Sequence, residues 1–115
     1  WSANALALAA LTAAAQHPAE LHAIAERAAA ERANLEHRLR EAGIRVWPAA
    51  ANFVLVELDD GPRAVAALRE QAIAVRPAAS FPGLDARHVR ITARAPGENA
   101  RLVEVLARVL AEVPA

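Results

Sequence analysis

The stretch HVRITA, residues 88–93, alternates polar and apolar side chains without a break. Successive side chains of a strand point to opposite faces. Val89, Ile91 and Ala93 therefore share one face, and His88, Arg90 and Thr92 share the other. A strand of this kind belongs to a sheet that is buried on one side only. A second run, NFVLVEL at 52–58, is dense in β-branched and aromatic residues and supplies the best strand in the chain. Two shorter segments, Ile44–Trp47 and Ile73–Arg76, are also predicted as strands.

The remaining segments carry helical signals. Residues 4–16 hold Leu6, Leu8 and Leu11 among alanines, with Ser2 or Asn4 placed to cap the start. His17-Pro18 breaks that helix, because the residue before proline avoids the helical region. Pro18 then suits the first turn of a second helix over 19–42. Its apolar stripe is Leu21, Ile24, Ala28, Leu35 and Leu39, with Glu36 and Arg40 paired on the exposed side and Gly43 as C-terminal cap. Asp59-Asp60-Gly61-Pro62 forms a turn that caps a helix over 62–71, with Val65 and Leu68 inward. Pro96 opens a last helix to about 111, with Leu102, Val105, Leu106, Val109 and Leu110 as its buried stripe.

This order predicts an α+β fold. N-terminal helices are followed by a small, mostly antiparallel sheet with helices packed on one face, in the sequence strand–helix–strand–strand–helix. The other sheet face stays open. Arg90 falls on it by alternation, and Arg76 falls on it because its neighbour Val75 points to the core. Arginine is permanently charged and forks onto carboxylate or phosphate, so a converging pair is a candidate anion site. The competing reading makes both arginines solvated charges, or partners of Glu57, Asp59 or Asp60.

Composition removes several other functions. The 115 residues fit one domain, and the 56% hydrophobic fraction is largely alanine, which suits closely packed helices. The 13 basic and 13 acidic residues cancel, so no broad surface attracts nucleic acid or an anionic membrane. Cysteine is absent, which makes a reducing, cytoplasmic setting the default. No apolar run approaches the ~20 residues of a membrane span, and WSANALALAALTAAAQ lacks the basic start of a signal peptide. His17, His22, His37 and His88 show no metal-ligand spacing, Gly83 is a turn residue, and no glycine-rich phosphate loop occurs. All 13 basic residues are arginine. A Schiff base needs a side-chain amine, so this chain cannot make one internally. The start at Trp1, without an initiator methionine, is read as the start of a piece cut from a longer protein.

In combination, WSANALALAAL before a long charged helix, then ANFVLVEL, AIAVRPAASFPGL and HVRITARAPGENARLVEVL, resemble the C-terminal small domain of class I/II aminotransferases. These are fold-type I pyridoxal-phosphate enzymes. The resemblance covers essentially the whole chain and is most specific over 73–106. It is closest to the group of histidinol-phosphate aminotransferase and the cobalamin-pathway threonine-phosphate decarboxylase, with SFPGL nearer the cobalamin branch. It implies that Arg90 holds the acidic group of a small phosphorylated amine or amino acid, and that Arg76 helps to bind phosphate or carboxylate. Trp1, Ser2 and Asn4 match the segment leading from the large domain. Residues 1–18 would be that helical connection, and 19–115 the small domain. Ala95 departs from the family's usual Ser or Thr before the last helix. The pyridoxal-phosphate domain with its lysine has no counterpart in the sequence, so the chain alone is expected to be inactive and to act within a larger enzyme. A homodimer or a domain-swapped oligomer is the expected assembly. A free-standing α/β module that binds a ligand or partner through its open sheet face is the alternative.

Overall fold

The computed structural model describes residues 4–112; Trp1 and Ser2 lie outside the described residues. The elements follow in the order α1 (Ala5–Ala15), α2 (Pro18–Glu41), β1 (Arg45–Val46), β2 (Phe53–Glu57), α3 (Gly61–Glu70), β3 (Arg76–Pro77), β4 (His88–Thr92) and α4 (Pro96–Ala111). The strands form one sheet in the order β1-β2-β4-β3, and every pairing is antiparallel. Helices cover one face of the sheet. Val54 and Val56 of β2, Val89 and Ile91 of β4, Leu35 and Leu39 of α2, Leu68 of α3 and Leu106 of α4 all meet there, with exposures of 0–1%. The α+β arrangement expected from the alternation is the arrangement found.

Local chemistry fixes the element ends. Asn4 caps α1 through its Oδ1, which accepts from the Ala7 backbone N–H at 2.8 Å. α2 closes on Gly43, whose φ of 78° lets Ile44 N–H reach back to the Leu39 carbonyl. Asp60 caps α3 by accepting from the Arg63 backbone N–H. Ala95 offers α4 no side-chain cap, as its methyl group dictates.

Three expectations need correction. Leu21 and Ile24 are exposed, so only the C-terminal end of the predicted α2 stripe is core. A helix of 24 residues is about 36 Å long, while strands of five residues span about 17 Å; the first half of α2 simply overhangs the sheet. The strand predicted at Ile73–Arg76 is displaced to Arg76–Pro77. Ala72 adopts φ 60°, and Ile73 N–H donates to the Leu68 carbonyl, so this stretch finishes α3 before it can join the sheet. On α4, Leu110 is exposed and Val103 takes a place in the core.

One buried polar side chain interrupts the core among the described residues. Asn99, 2% exposed, accepts from the Arg94 backbone N–H at 2.8 Å. It also donates to the Glu31 carbonyl at 3.0 Å and to Asn34 Oδ1 at 3.2 Å. This amide joins the end of β4 and the first turn of α4 to the middle of α2.

Candidate functional site

β2 and β4 are central in the sheet, and their alternation leaves one row of each uncovered. Phe53, Leu55 and Glu57 form the row on β2; His88, Arg90 and Thr92 form the row on β4. β3 adds Arg76, whose Cα partner across the ladder is Arg90 itself. Directly opposed residues point to the same face and sit about 4.5–5.5 Å apart at Cα. The structure thus brings the two predicted arginines together on the open face. Like charges directly opposite each other destabilise a sheet, so this pairing carries an electrostatic cost.

The carboxylates that could have neutralised the pair are engaged elsewhere. Glu57 binds Arg45 at 3.2 Å and Arg87 at 3.1 Å. Asp59 lies 3.8 Å from Arg87, and Asp60 is the cap of α3. Among the described residues, neither Arg76 nor Arg90 has an ion-pair partner. Each lies over an aromatic ring instead: Arg90 is 4.6 Å from the centroid of Phe53, and Arg76 is 5.5 Å from that of Phe81. Phe53, Leu55, Ala78, Phe81, Leu84 and Arg90 line an open depression of about 210 Å³ beside them. A permanent double positive charge next to an apolar wall can hold an anion that carries a small organic group.

Sequence reasoning missed both rings. NFVLVEL was read for its strand propensity and SFPGL for its turn, although alternation around Val54 and Val56 already placed Phe53 outward. Arg45 and Arg87 were also missed. They border a larger cavity of about 520 Å³ at the other edge of the sheet, but Glu57, Asp59 and Glu112 line it too, so its charges offset one another. The four histidines each face a carboxylate one helical turn or one loop away: His17–Glu20, His22–Glu26, His37–Glu41 and His88–Asp85.

The loop entering β4 is held by Asp85. The Arg87 backbone N–H donates to this carboxylate at 2.9 Å, and the His88 ring lies at 2.9 Å; the first contact chiefly, then the second, hold its pKa below the usual carboxylate range. The sign follows. A lowered folded pKa gives a stabilisation that is present above the ordinary Asp value and lost as pH falls through the folded one.

A helix layer on one face of a small antiparallel sheet, with an opposed arginine pair on the other, defines an α+β domain with a candidate anion site. Residues 2–109 match the family described as "Aminotransferase class I and II", and the chain belongs to that family. A histidinol-phosphate aminotransferase of Methanoculleus marisnigri is 42% identical over 55 residues, 46% of this chain and 16% of that protein. A crystal structure of a protein from Burkholderia pseudomallei K96243 is similar with a TM-score of 0.80 and 37% identity, over 94% of this chain and 34% of that one. The L-threonine-O-3-phosphate decarboxylase of Porphyromonas gingivalis is similar with a TM-score of 0.72 and 29% identity, over 97% of this chain and 36% of that one. The chain therefore spans 16% to 36% of the length of these relatives.

Pyridoxal phosphate, the cofactor the family implies, is held by a lysine Schiff base in such enzymes. All 13 basic residues of this chain are arginine, so its residues do not fit a covalent cofactor site. No step through the cofactor is assigned to them.

Proposed function

We propose that this chain is the substrate-clamping small domain of a pyridoxal-phosphate-dependent enzyme that acts on a small phosphorylated amine or amino acid, in the manner of a histidinol-phosphate aminotransferase or a threonine-phosphate decarboxylase. One observation carries the reading: Arg76 and Arg90 oppose each other on the uncovered sheet face, unpaired with any carboxylate among the described residues. In the complete enzyme the two guanidiniums fix the anionic end of the substrate, which orients its amine for the chemistry. The cofactor and its lysine belong to the rest of the enzyme, in a cytoplasmic setting in keeping with the cysteine-free composition.

The test is Arg90→Lys in the complete enzyme. Lysine keeps the charge and loses the fork. A charged hydrogen bond is worth about 1.5–3 kcal/mol, so KM rises and kcat/KM falls roughly 10- to 100-fold. The cofactor absorption spectrum stays unchanged, because the lesion is in the clamp. A solvated surface arginine predicts near-normal kinetics instead.

Self-association is proposed for the chain on its own. α1 buries none of its residues; Leu6, Leu8 and Leu11 are exposed, and so are Leu21 and Ile24 of α2. Such a surface favours a dimer, or exchange of α1 about the His17-Pro18 hinge. Light scattering is expected to give at least twice the 12.2 kDa chain mass. A monomer mass at high concentration would count against this assembly.

A further inference from the structure

The sequence contains only two phenylalanines, Phe53 and Phe81, and each lies under one guanidinium of the opposed pair. They arrive from different parts of the chain. Phe53 belongs to β2, where the register pairs Leu55 with Arg90 and Phe53 with Thr92. Phe53 is thus the diagonal neighbour of Arg90, within reach of a long side chain crossing the ladder. Phe81 comes from the connection after β3. There, Phe81 N–H donates to the Ala78 carbonyl, Leu84 N–H donates to the Phe81 carbonyl, and Gly83 takes φ 82°. These turns fold SFPGL back, so that a ring five positions beyond Arg76 lies beneath it.

Neither ring is core. Phe53 is half-buried, and Phe81 is 38% exposed on the surface that the helices leave open. Burial alone therefore does not account for their positions. The face of an aromatic ring is electronegative and attracts a cation without accepting its N–H groups. A carboxylate would also offset the charge, but it would occupy the fork. A ring limits where the guanidinium can sit and leaves its donors available, which lowers the ordering cost of gripping an anion.

We infer that Phe53 and Phe81 are positioning residues for the anion clamp, holding Arg90 and Arg76 so that both forks face the open side of the sheet. This rests on the clamp reading given above. Leucine offers similar bulk without the ring, and tyrosine restores the ring.

The probe is inorganic phosphate, titrated into the 115-residue chain while the arginine side-chain N–H resonances are followed by NMR. In the unmodified chain the Arg90 resonance carries a ring-current shift and moves on addition of phosphate. Phe53→Leu abolishes the ring-current shift and raises the phosphate Kd about two- to fivefold, the size of an exposed cation–π contact. Phe53→Tyr restores both. Phe81→Leu does the same to Arg76, and gives an independent reading if Phe53→Leu proves poorly folded. A purely structural role would move the thermal midpoint and leave the Kd unchanged. If both leucine variants bind phosphate as the parent does, or tyrosine fails to rescue, the positioning role is overturned and the clamp stands. If the unmodified chain binds no phosphate, this inference is overturned, and the clamp reading is decided separately by Arg90→Lys in the complete enzyme.

Discussion

Gly61→Ala is expected to lower the thermal midpoint by more than about 10 °C. Helix propensity alone predicts the opposite, because alanine is better than glycine inside a helix by about 1 kcal/mol. Space decides the sign. A Cβ at position 61 would collide with the Ala86 carbonyl oxygen and press on the Ala86 carbonyl carbon. That carbonyl has little room to retreat. The adjoining Arg87 carbonyl accepts from Leu58 N–H at 2.8 Å, and Arg87 N–H donates to Asp85 at 2.9 Å. Relieving the overlap means separating α3 from the loop that leads into β4. Overpacking of this kind costs about 3 kcal/mol, and each kcal/mol shifts the midpoint by roughly 4–8 °C in a small domain. A midpoint equal to or above that of the parent would show that the loop yields.

Asn99→Leu is expected to cost about 2–3 kcal/mol, read by urea or thermal unfolding. Leucine has the same branching pattern as asparagine and is apolar, as a core position ordinarily requires. It makes none of the three hydrogen bonds, however, and the Arg94 N–H loses its acceptor at the end of β4. An unsatisfied buried donor costs about 1–3 kcal/mol. The lost link to Glu31 and Asn34 also loosens α4 from α2. Unfolding at parental denaturant concentration would mean that water replaces the amide.

The alternation in HVRITA was enough to place Val89 and Ile91 inward and Arg90 outward, because a half-buried strand has a strict period of two. Arg76 was legible by the same rule from Val75. The structure adds the register, which makes Arg76 and Arg90 opposed partners; pairing between distant strands leaves no local mark in sequence. The overhang of α2 was not legible either. Leu21 and Ile24 keep the helical period of Leu35 and Leu39, and period does not record where the sheet beneath ends. The early part of the predicted third strand failed for a local reason, since Ala72 takes a left-handed conformation that glycine usually signals. Phe53 and Phe81 escaped because ring-over-guanidinium contacts join residues that are diagonal across a ladder or folded back by turns.

The central claim is that Arg76 and Arg90 grip one anion on the open face. It is tested most directly by the crystal structure of the complete enzyme with a phosphorylated substrate analogue. The expected result places guanidinium nitrogens of both arginines about 2.7–3.2 Å from oxygens of the analogue's anionic group, with Phe53 and Phe81 still beneath them. An analogue bound productively elsewhere, with both arginines facing solvent or paired with carboxylates, would contradict it.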